Sequence, residues 1–175
     1  HNEKMRRLKT SKQKIFAKKT EKKGLIIVHT GTGKGKSTAA FGMVFRGIAH
    51  GMPCAVVQFI KGAMATGERD LIQQHFPELC EFHTLGDGFT WDTQDKEKDI
   101  ASAKKAWSKA KELISDEKKK IILLDEINIA LRYGYVEIDD VVTFLLEKKP
   151  KMTHVILTGR NANEKLIAVS YTHLT

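Results

Sequence analysis

Residues 24–38 read GLIIVHTGTGKGKST, and they predict more about this chain than any other stretch of its sequence. Residues 24–30 form a short apolar run rich in β-branched side chains, which is typical of a buried strand. Residues 37–50 have the apolar spacing of a helix that ends at Gly51. A strand, a glycine-rich turn and a helix in this order predict a loop whose backbone N–H groups cradle phosphate.

The turn matches the phosphate-binding pattern GxxxxGK followed by Ser or Thr, except that Thr30 stands where the first glycine is expected. Lys36 supplies a positive charge to phosphate, and the Ser37 hydroxyl is a ligand for Mg²⁺. A glycine- and lysine-rich turn without function is the alternative, which the flanking strand and helix disfavour. We predict that ATP with Mg²⁺ binds at the following residues: Gly31, Thr32, Gly33, Lys34, Gly35, Lys36, Ser37 and Thr38.

Another apolar run, residues 120–125 (KIILLD), ends in one carboxylate, Asp125, and is followed directly by a second, Glu126. An acid at this position meets the magnesium ion in P-loop proteins, either directly or through water. On its own the signal is weak, because any buried strand can end in surface acids. Beside the phosphate loop it favours a role for Asp125 and Glu126 at the metal.

Short apolar runs alternate with helical segments throughout the chain after residue 23, which predicts a doubly wound, mostly parallel α/β sheet with helices on both faces. The predicted strands are residues 24–30, 54–60, 80–85, 120–125 and 153–158, and the predicted helices are 37–50, 67–75, 95–115 and 138–147. Ligands of such sheets bind at the carboxyl ends of the strands. Cys54 and Cys80 have no metal-binding spacing, and we expect two buried, reduced thiols in strands.

The net charge of +9 is concentrated in residues 1–23, which hold ten Lys and Arg against two Glu. Residues 3–20 have the pattern of an amphipathic helix or arm that packs on a partner or over a site. We therefore divide the chain into a basic arm, residues 1–23, and one domain, residues 24–175. No apolar run approaches the roughly 18 residues of a membrane span and no signal peptide is visible, so we expect a cytoplasmic protein without a membrane partner.

Several blocks together resemble one known family, the P-loop type ATP:corrinoid adenosyltransferases. The blocks are TGTGKGKSTAAFG (30–42), VVQFIKG (56–62), GER (67–69), GFTWDTQ (88–94), LLDEIN (123–128) and LTGR (157–160). They occur in the family's order and cover most of residues 24–160. The shortened phosphate loop is the family's own form, and GFTWDTQ is the most specific block.

This resemblance implies that the chain transfers the 5′-deoxyadenosyl group of ATP to the Co(I) of cobalamin or a related corrinoid, releasing triphosphate. It implies a RecA-like sheet, a homodimer whose N-terminal helix covers the partner's site, and a reductase partner such as a flavodoxin. Co(I) is already a strong nucleophile, so the protein needs no base, and the cofactor carries the hard step. Lys34, Lys36 and Mg²⁺ would neutralise the leaving triphosphate.

The resemblance also assigns residues at the two ends of the site. Phe89 and Trp91 would close on the corrin ring, displace its axial ligand and ease reduction of Co(II). Glu126 would be the nearer metal partner beside Ser37, with Asp125 behind it. Asp92 stands where many members have Glu, and residues 168–175 (AVSYTHLT) depart from the family's pattern, so we expect a truncated or foreign C-terminus.

Two other functions remain open from the residues alone. A P-loop kinase or NTPase acting at the γ-phosphate needs a base or a water-positioning residue, which we cannot assign. A nucleic-acid-binding module would use the basic arm, but the arm lacks the interleaved aromatic residues that stack on bases. We therefore expect no nucleic acid partner.

Overall fold

The computed structural model describes residues 2–17, 20–60, 66–85 and 96–174. The strands are β1 (Ile26–His29), β2 (Cys54–Gln58), β3 (Cys80–Thr84), β4 (Ile121–Asp125), β5 (His154–Thr158) and β6 (Thr172–Leu174). The helices are α1 (Asn2–Ala17), α2 (Lys36–Ala49), α3 (Gly67–His75), α4 (Lys96–Ser115), α5 (Ile127–Arg132), α6 (Ile138–Glu147) and α7 (Glu164–Val169). Every strand and helix predicted after residue 23 is found, whereas α5, α7 and β6 were not predicted.

The six strands form one parallel sheet in the order β3-β2-β4-β5-β1-β6. Strand β5 therefore lies between β1, which leads into the phosphate loop, and β4, which ends in the two acids. Leu157 of β5 pairs with Val28 of β1 on one side and with Leu124 of β4 on the other. Because all strands run the same way, the ends of β1, β4 and β5 meet at one edge of the sheet.

Helices cover both faces of the sheet, as the doubly wound pattern predicts. Successive residues of β4 alternate between the faces: Ile122 and Leu124 pack with α4, α5, α6 and α7, whereas Ile121 and Leu123 pack with α2 and α3. Burial on both sides explains why the central strands read as continuous apolar runs rather than as alternating ones.

The two cysteines begin β2 and β3 and pair in register with each other. Both are buried free thiols, as expected from the sequence. Burial raises the pKa of Cys54 to about 11 and that of Cys80 to about 12. At neutral pH both thiols are therefore protonated and unreactive.

The basic N-terminal segment forms helix α1, as one of the two forms expected from its sequence. Its side chains from Glu3 to Ile15 are exposed, including the apolar Met5 at 54% and Ile15 at 53%. Within the described ranges, no helix combines the length and the apolar character needed to span a bilayer.

Candidate active site

The phosphate loop connects β1 to α2 and depends on two glycines in the left-handed region of backbone space. Gly31 and Gly35 both have φ of +99°, a conformation that a residue with a Cβ adopts only with strain. The loop between them is exposed, and Lys34 points to solvent. The Lys36 ammonium donates to the carbonyl of Gly33, so the charge lies over the loop where a phosphate would bind.

Thr30, which replaces the first glycine of the pattern, has a structural use here. Its side chain is 7% exposed, and its hydroxyl accepts a hydrogen bond from the N–H of Ala162 at 3.0 Å. The neighbouring His29 lies with Nδ1 3.1 Å from the Lys36 carbonyl oxygen, a contact in which Nδ1–H donates. The N–H of Gly159 donates to the His29 carbonyl at 3.2 Å. The bonds from Ala162 and Gly159 anchor the base of the phosphate loop to the segment that follows β5.

Asp125 lies at the centre of the strand ends, with 0% exposure. Its Oδ1 accepts from the hydroxyl of Ser37 at 2.8 Å and from the hydroxyl of Thr158 at 2.8 Å. Its Oδ2 accepts from the Nε2 of Gln58 at 3.0 Å. Donors from α2, β5 and β2 thus converge on one buried carboxylate, as a buried charge requires.

Glu126 follows Asp125 in a left-handed conformation, with φ of +62°. Its N–H donates to the Thr158 hydroxyl at 2.9 Å, so one threonine serves both acidic residues. Gly159, with φ of +127°, lies so close that a Cβ there would be 3.2 Å from Glu126 Oε2. Glu126, as a non-glycine residue in the left-handed region, carries backbone strain of a kind that concentrates at functional sites.

The oxygen atoms of Ser37, Asp125 and Glu126 suit Mg²⁺, which prefers hard oxygen ligands. In the described part of the chain, no group of three or more His, Cys, Asp and Glu side chains could hold a metal ion. Proteins usually hold Mg²⁺ through one or two carboxylates together with substrate phosphates and water.

The structure brings the phosphate loop, Ser37, Asp125 and Glu126 to one edge of the sheet. Phe89 and Trp91, assigned to the corrinoid from the sequence, lie outside the described residues together with the rest of their block. Three further residues at these strand ends, Gln58, Thr158 and Asn128, were not predicted from the sequence.

Each of these three residues had a signal in the sequence, since Gln58 and Thr158 are polar residues closing apolar strands and Asn128 lies in the acidic block. Asn128 is 1% exposed, and its Nδ2 donates to the Gly159 carbonyl at 3.0 Å. Its Oδ1 is buried without a hydrogen-bond partner among the described residues.

Comparison with known proteins gives one consistent result. A family model described as ATP:corrinoid adenosyltransferase BtuR/CobO/CobP matches residues 22–174. A corrinoid adenosyltransferase from Sinorhizobium sp. is 67% identical over 170 residues, which are 97% of this chain and 79% of that protein. Corrinoid adenosyltransferases from Pseudomonas aeruginosa and Escherichia coli K12 are 45% and 38% identical, each over 98% of this chain and over 84% and 86% of their own lengths.

Proposed function

Because the chain belongs to the ATP:corrinoid adenosyltransferase family, we propose that Lys36 and Ser37 hold the triphosphate end of ATP during adenosyl transfer, with Asp125 and Glu126 serving the magnesium ion bound to it. The enzyme is a transferase that moves the 5′-deoxyadenosyl group of ATP to the cobalt of a corrinoid. The contact that supports our residue assignment most is the bond from Ser37 to Asp125, directly behind the phosphate loop.

The reaction defines what these residues do. A Co–C bond forms at the 5′ carbon of ATP, the C–O bond to the triphosphate breaks, and the triphosphate leaves with the electron pair. No proton is lost from the nucleophile, so no side chain acts as a base. Lys34 and Lys36 offset the charge of the leaving group, and a magnesium ion supplies further positive charge to the triphosphate when bound.

In this proposal Ser37 and Glu126 are the metal ligands. Asp125 accepts the hydrogen bond of the Ser37 hydroxyl and can also bind the metal ion through water. Ser37 Oγ has a free lone pair when its proton points to Asp125, which is the orientation a metal ligand needs. Glu126 is held against Gly159 at the same strand ends. We expect Glu126 to be the nearer carboxylate.

The corrinoid end of the proposal concerns Phe89 and Trp91. If these aromatic residues displace the axial ligand, Phe89→Ala and Trp91→Ala impair adenosylation from Co(II) with a mild reductant and matter much less when Co(I) is supplied chemically. ATP binding stays unchanged. Equal losses of activity under both conditions, together with a lowered melting temperature, would indicate that the two residues belong to the hydrophobic core instead.

We also propose a homodimer in which α1 covers the partner's site, a flavodoxin-like reductase as electron donor, and a cytoplasmic location where both ATP and reductant are supplied. The exposed apolar side chains of α1, Met5, Leu8 and Ile15, support the first of these because they have the character of a docking face.

The direct test is incubation with ATP, Mg²⁺ and chemically reduced cobalamin, followed by the light-sensitive Co–C absorbance and by assay of the phosphate product. Triphosphate is the expected product. Production of ADP without a Co–C bond would instead support a kinase or NTPase acting at the γ-phosphate. The Lys36→Ala variant serves as the inactive control.

A further inference from the structure

We infer that Gln58 is a positioning residue of this site: its amide fixes the Asp125 carboxylate and links it to the end of β3. The inference rests on the proposed function, in which Asp125 and Ser37 serve the magnesium and triphosphate end of ATP. It adds a buried residue that acts on the site through its hydrogen bond to Asp125.

The register of the sheet places Gln58 between its two side-chain partners. Gln58 is the last residue of β2 and pairs with Thr84 of β3 on one side and Asp125 of β4 on the other. Its Nε2 donates to Asp125 Oδ2 at 3.0 Å, and its Oε1 accepts from the Thr84 hydroxyl at 3.4 Å. With 1% exposure, the side chain lies inside the sheet edge rather than at the surface.

An amide suits this position because its two ends have opposite hydrogen-bonding character. A carboxylate only accepts, so Asp125 must face the Nε2 end. The Oε1 end is then left for the Thr84 hydroxyl, which can donate. The contacts therefore determine the orientation of the amide.

The two oxygens of Asp125 are held from different strands. Thr158 donates to Oδ1 from β5, and Gln58 donates to Oδ2 from β2. The terminal torsion of an aspartate has a broad energy minimum, so a carboxylate held at one oxygen alone can turn. With both oxygens held, Oδ1 stays directed at Ser37 when the serine oxygen is recruited by a metal ion.

Main-chain hydrogen bonds also link the ends of the neighbouring strands around Gln58. The N–H of Leu85 donates to the Gln58 carbonyl at 3.2 Å, and the N–H of Phe59 donates to the Asp125 carbonyl at 3.0 Å. Strand β3 leads along the sequence to residues 88–94, the block with Phe89 and Trp91. Gln58 thus joins the phosphate side of the site to the strand from which the corrinoid block continues.

The test uses Gln58→Met, which keeps the length of the side chain and removes both hydrogen bonds. Loss of an outer partner of a metal site typically lowers metal affinity or activity by about 10- to 100-fold, so we expect the Mg²⁺ concentration for half-maximal activity to rise at least about tenfold. Calorimetry should show ATP binding without Mg²⁺ unchanged and Mg²⁺-dependent tightening reduced.

Thr153→Val is the matched control, because Thr153 is also 1% exposed and its hydroxyl donates to the Lys119 carbonyl at 3.1 Å, at the opposite end of β5. It should lower the melting temperature without moving the Mg²⁺ response. If Gln58→Met lowers the melting temperature in the same way and leaves the Mg²⁺ response at the wild-type value, Gln58 is only structural and the inference is wrong.

A second variant, Thr84→Val, keeps Gln58 and removes its anchor, which covers the case in which Gln58→Met does not fold. The Mg²⁺ requirement should rise about threefold, the scale of one neutral hydrogen bond. A wild-type Mg²⁺ response in this variant overturns the link to β3. Failure of the wild-type enzyme to form any Co–C product would instead contradict the proposed function, so the two failures are distinguishable.

Discussion

The hydrogen bonds of the Asp125 side chain stabilise the fold, whereas its negative charge helps to hold the magnesium ion. Replacing Asp125 by Asn should therefore affect stability and catalysis differently. The carboxylate is fully buried and accepts from Ser37, Thr158 and Gln58 at 2.8, 2.8 and 3.0 Å. Asparagine has the same shape. Its oxygen can still accept from the two hydroxyls, and its Nδ2 can donate to Gln58 once that amide turns over.

The magnitude follows from two opposing terms. Hydrogen bonds to a charged group contribute about 1.5–3 kcal/mol and neutral ones about 0.5–1.5, so neutralising three bonds costs roughly 3–4 kcal/mol. Removing the buried charge recovers a desolvation penalty of several kcal/mol. We therefore expect the free energy of unfolding to change by no more than about 2 kcal/mol, whereas Asp125→Ala should lose about 3–5 kcal/mol because it leaves buried donors unpaired.

Turnover should respond quite differently. Asp125 helps to hold the magnesium ion in this proposal, and the positive charge of that ion stabilises the leaving triphosphate, so removing the carboxylate charge is expected to lower turnover on the order of 10²-fold. The assay is Co–C bond formation from ATP and chemically supplied Co(I) across a Mg²⁺ titration, with urea denaturation of the same preparations. Glu126→Gln is the matched variant, and we expect a loss of similar size if Glu126 is the nearer metal ligand. Wild-type turnover with wild-type Mg²⁺ dependence in Asp125→Asn would refute the reasoning.

Three further predictions concern the loop, the segment after β5 and the arm. Lys36→Ala should abolish ATP binding in calorimetry with an unchanged melting temperature, and unchanged affinity would contradict the assignment. Gly159→Ala should lower the free energy of unfolding by about 1–3 kcal/mol and remove much of the turnover, because φ of Gly159 is +127° and a Cβ would lie 2.9 Å from Asn128 Cβ. The control is Gly134→Ala, where φ is +68° but a Cβ would have no atom within 4 Å. Removing residues 1–20 should leave a folded domain that binds ATP and turns over corrinoid more slowly, and loss of cooperative unfolding on truncation would place α1 in the core.

The sequence predicted the elements whose signals are local. The phosphate loop, the acids after β4 and the alternation of strands and helices all depend on residues close together in the chain. The missed elements are short: α5 and α7 have six residues each and β6 has three. Six residues span fewer than two helical turns, which is too little to establish an apolar period of 3.6.

The site residues Gln58 and Thr158 were missed for a different reason. Gln58, Thr158 and Asp125 are far apart in the sequence, and they meet only because β2 and β5 both flank β4. Hydrophobic patterning predicts that a strand exists but not which strands are its neighbours. The polar residues that close β2 and β5 were therefore readable as residues, but their shared partner was not.

The position of β5 explains how the chain connects two motifs that are distant in sequence. Strand β5 separates the strand of the phosphate loop from the strand of the acids, so whatever follows β5 must lie between them. Thr158 bonds to Asp125 on one side, and the next residue, Gly159, bonds to the His29 carbonyl on the other. Because Gly159 has no side chain, Glu126 can lie against its backbone. The block at residues 157–160 thus sets the spacing between the phosphate loop and the acidic residues, which is why a substitution there should disturb catalysis without removing any group that binds ATP.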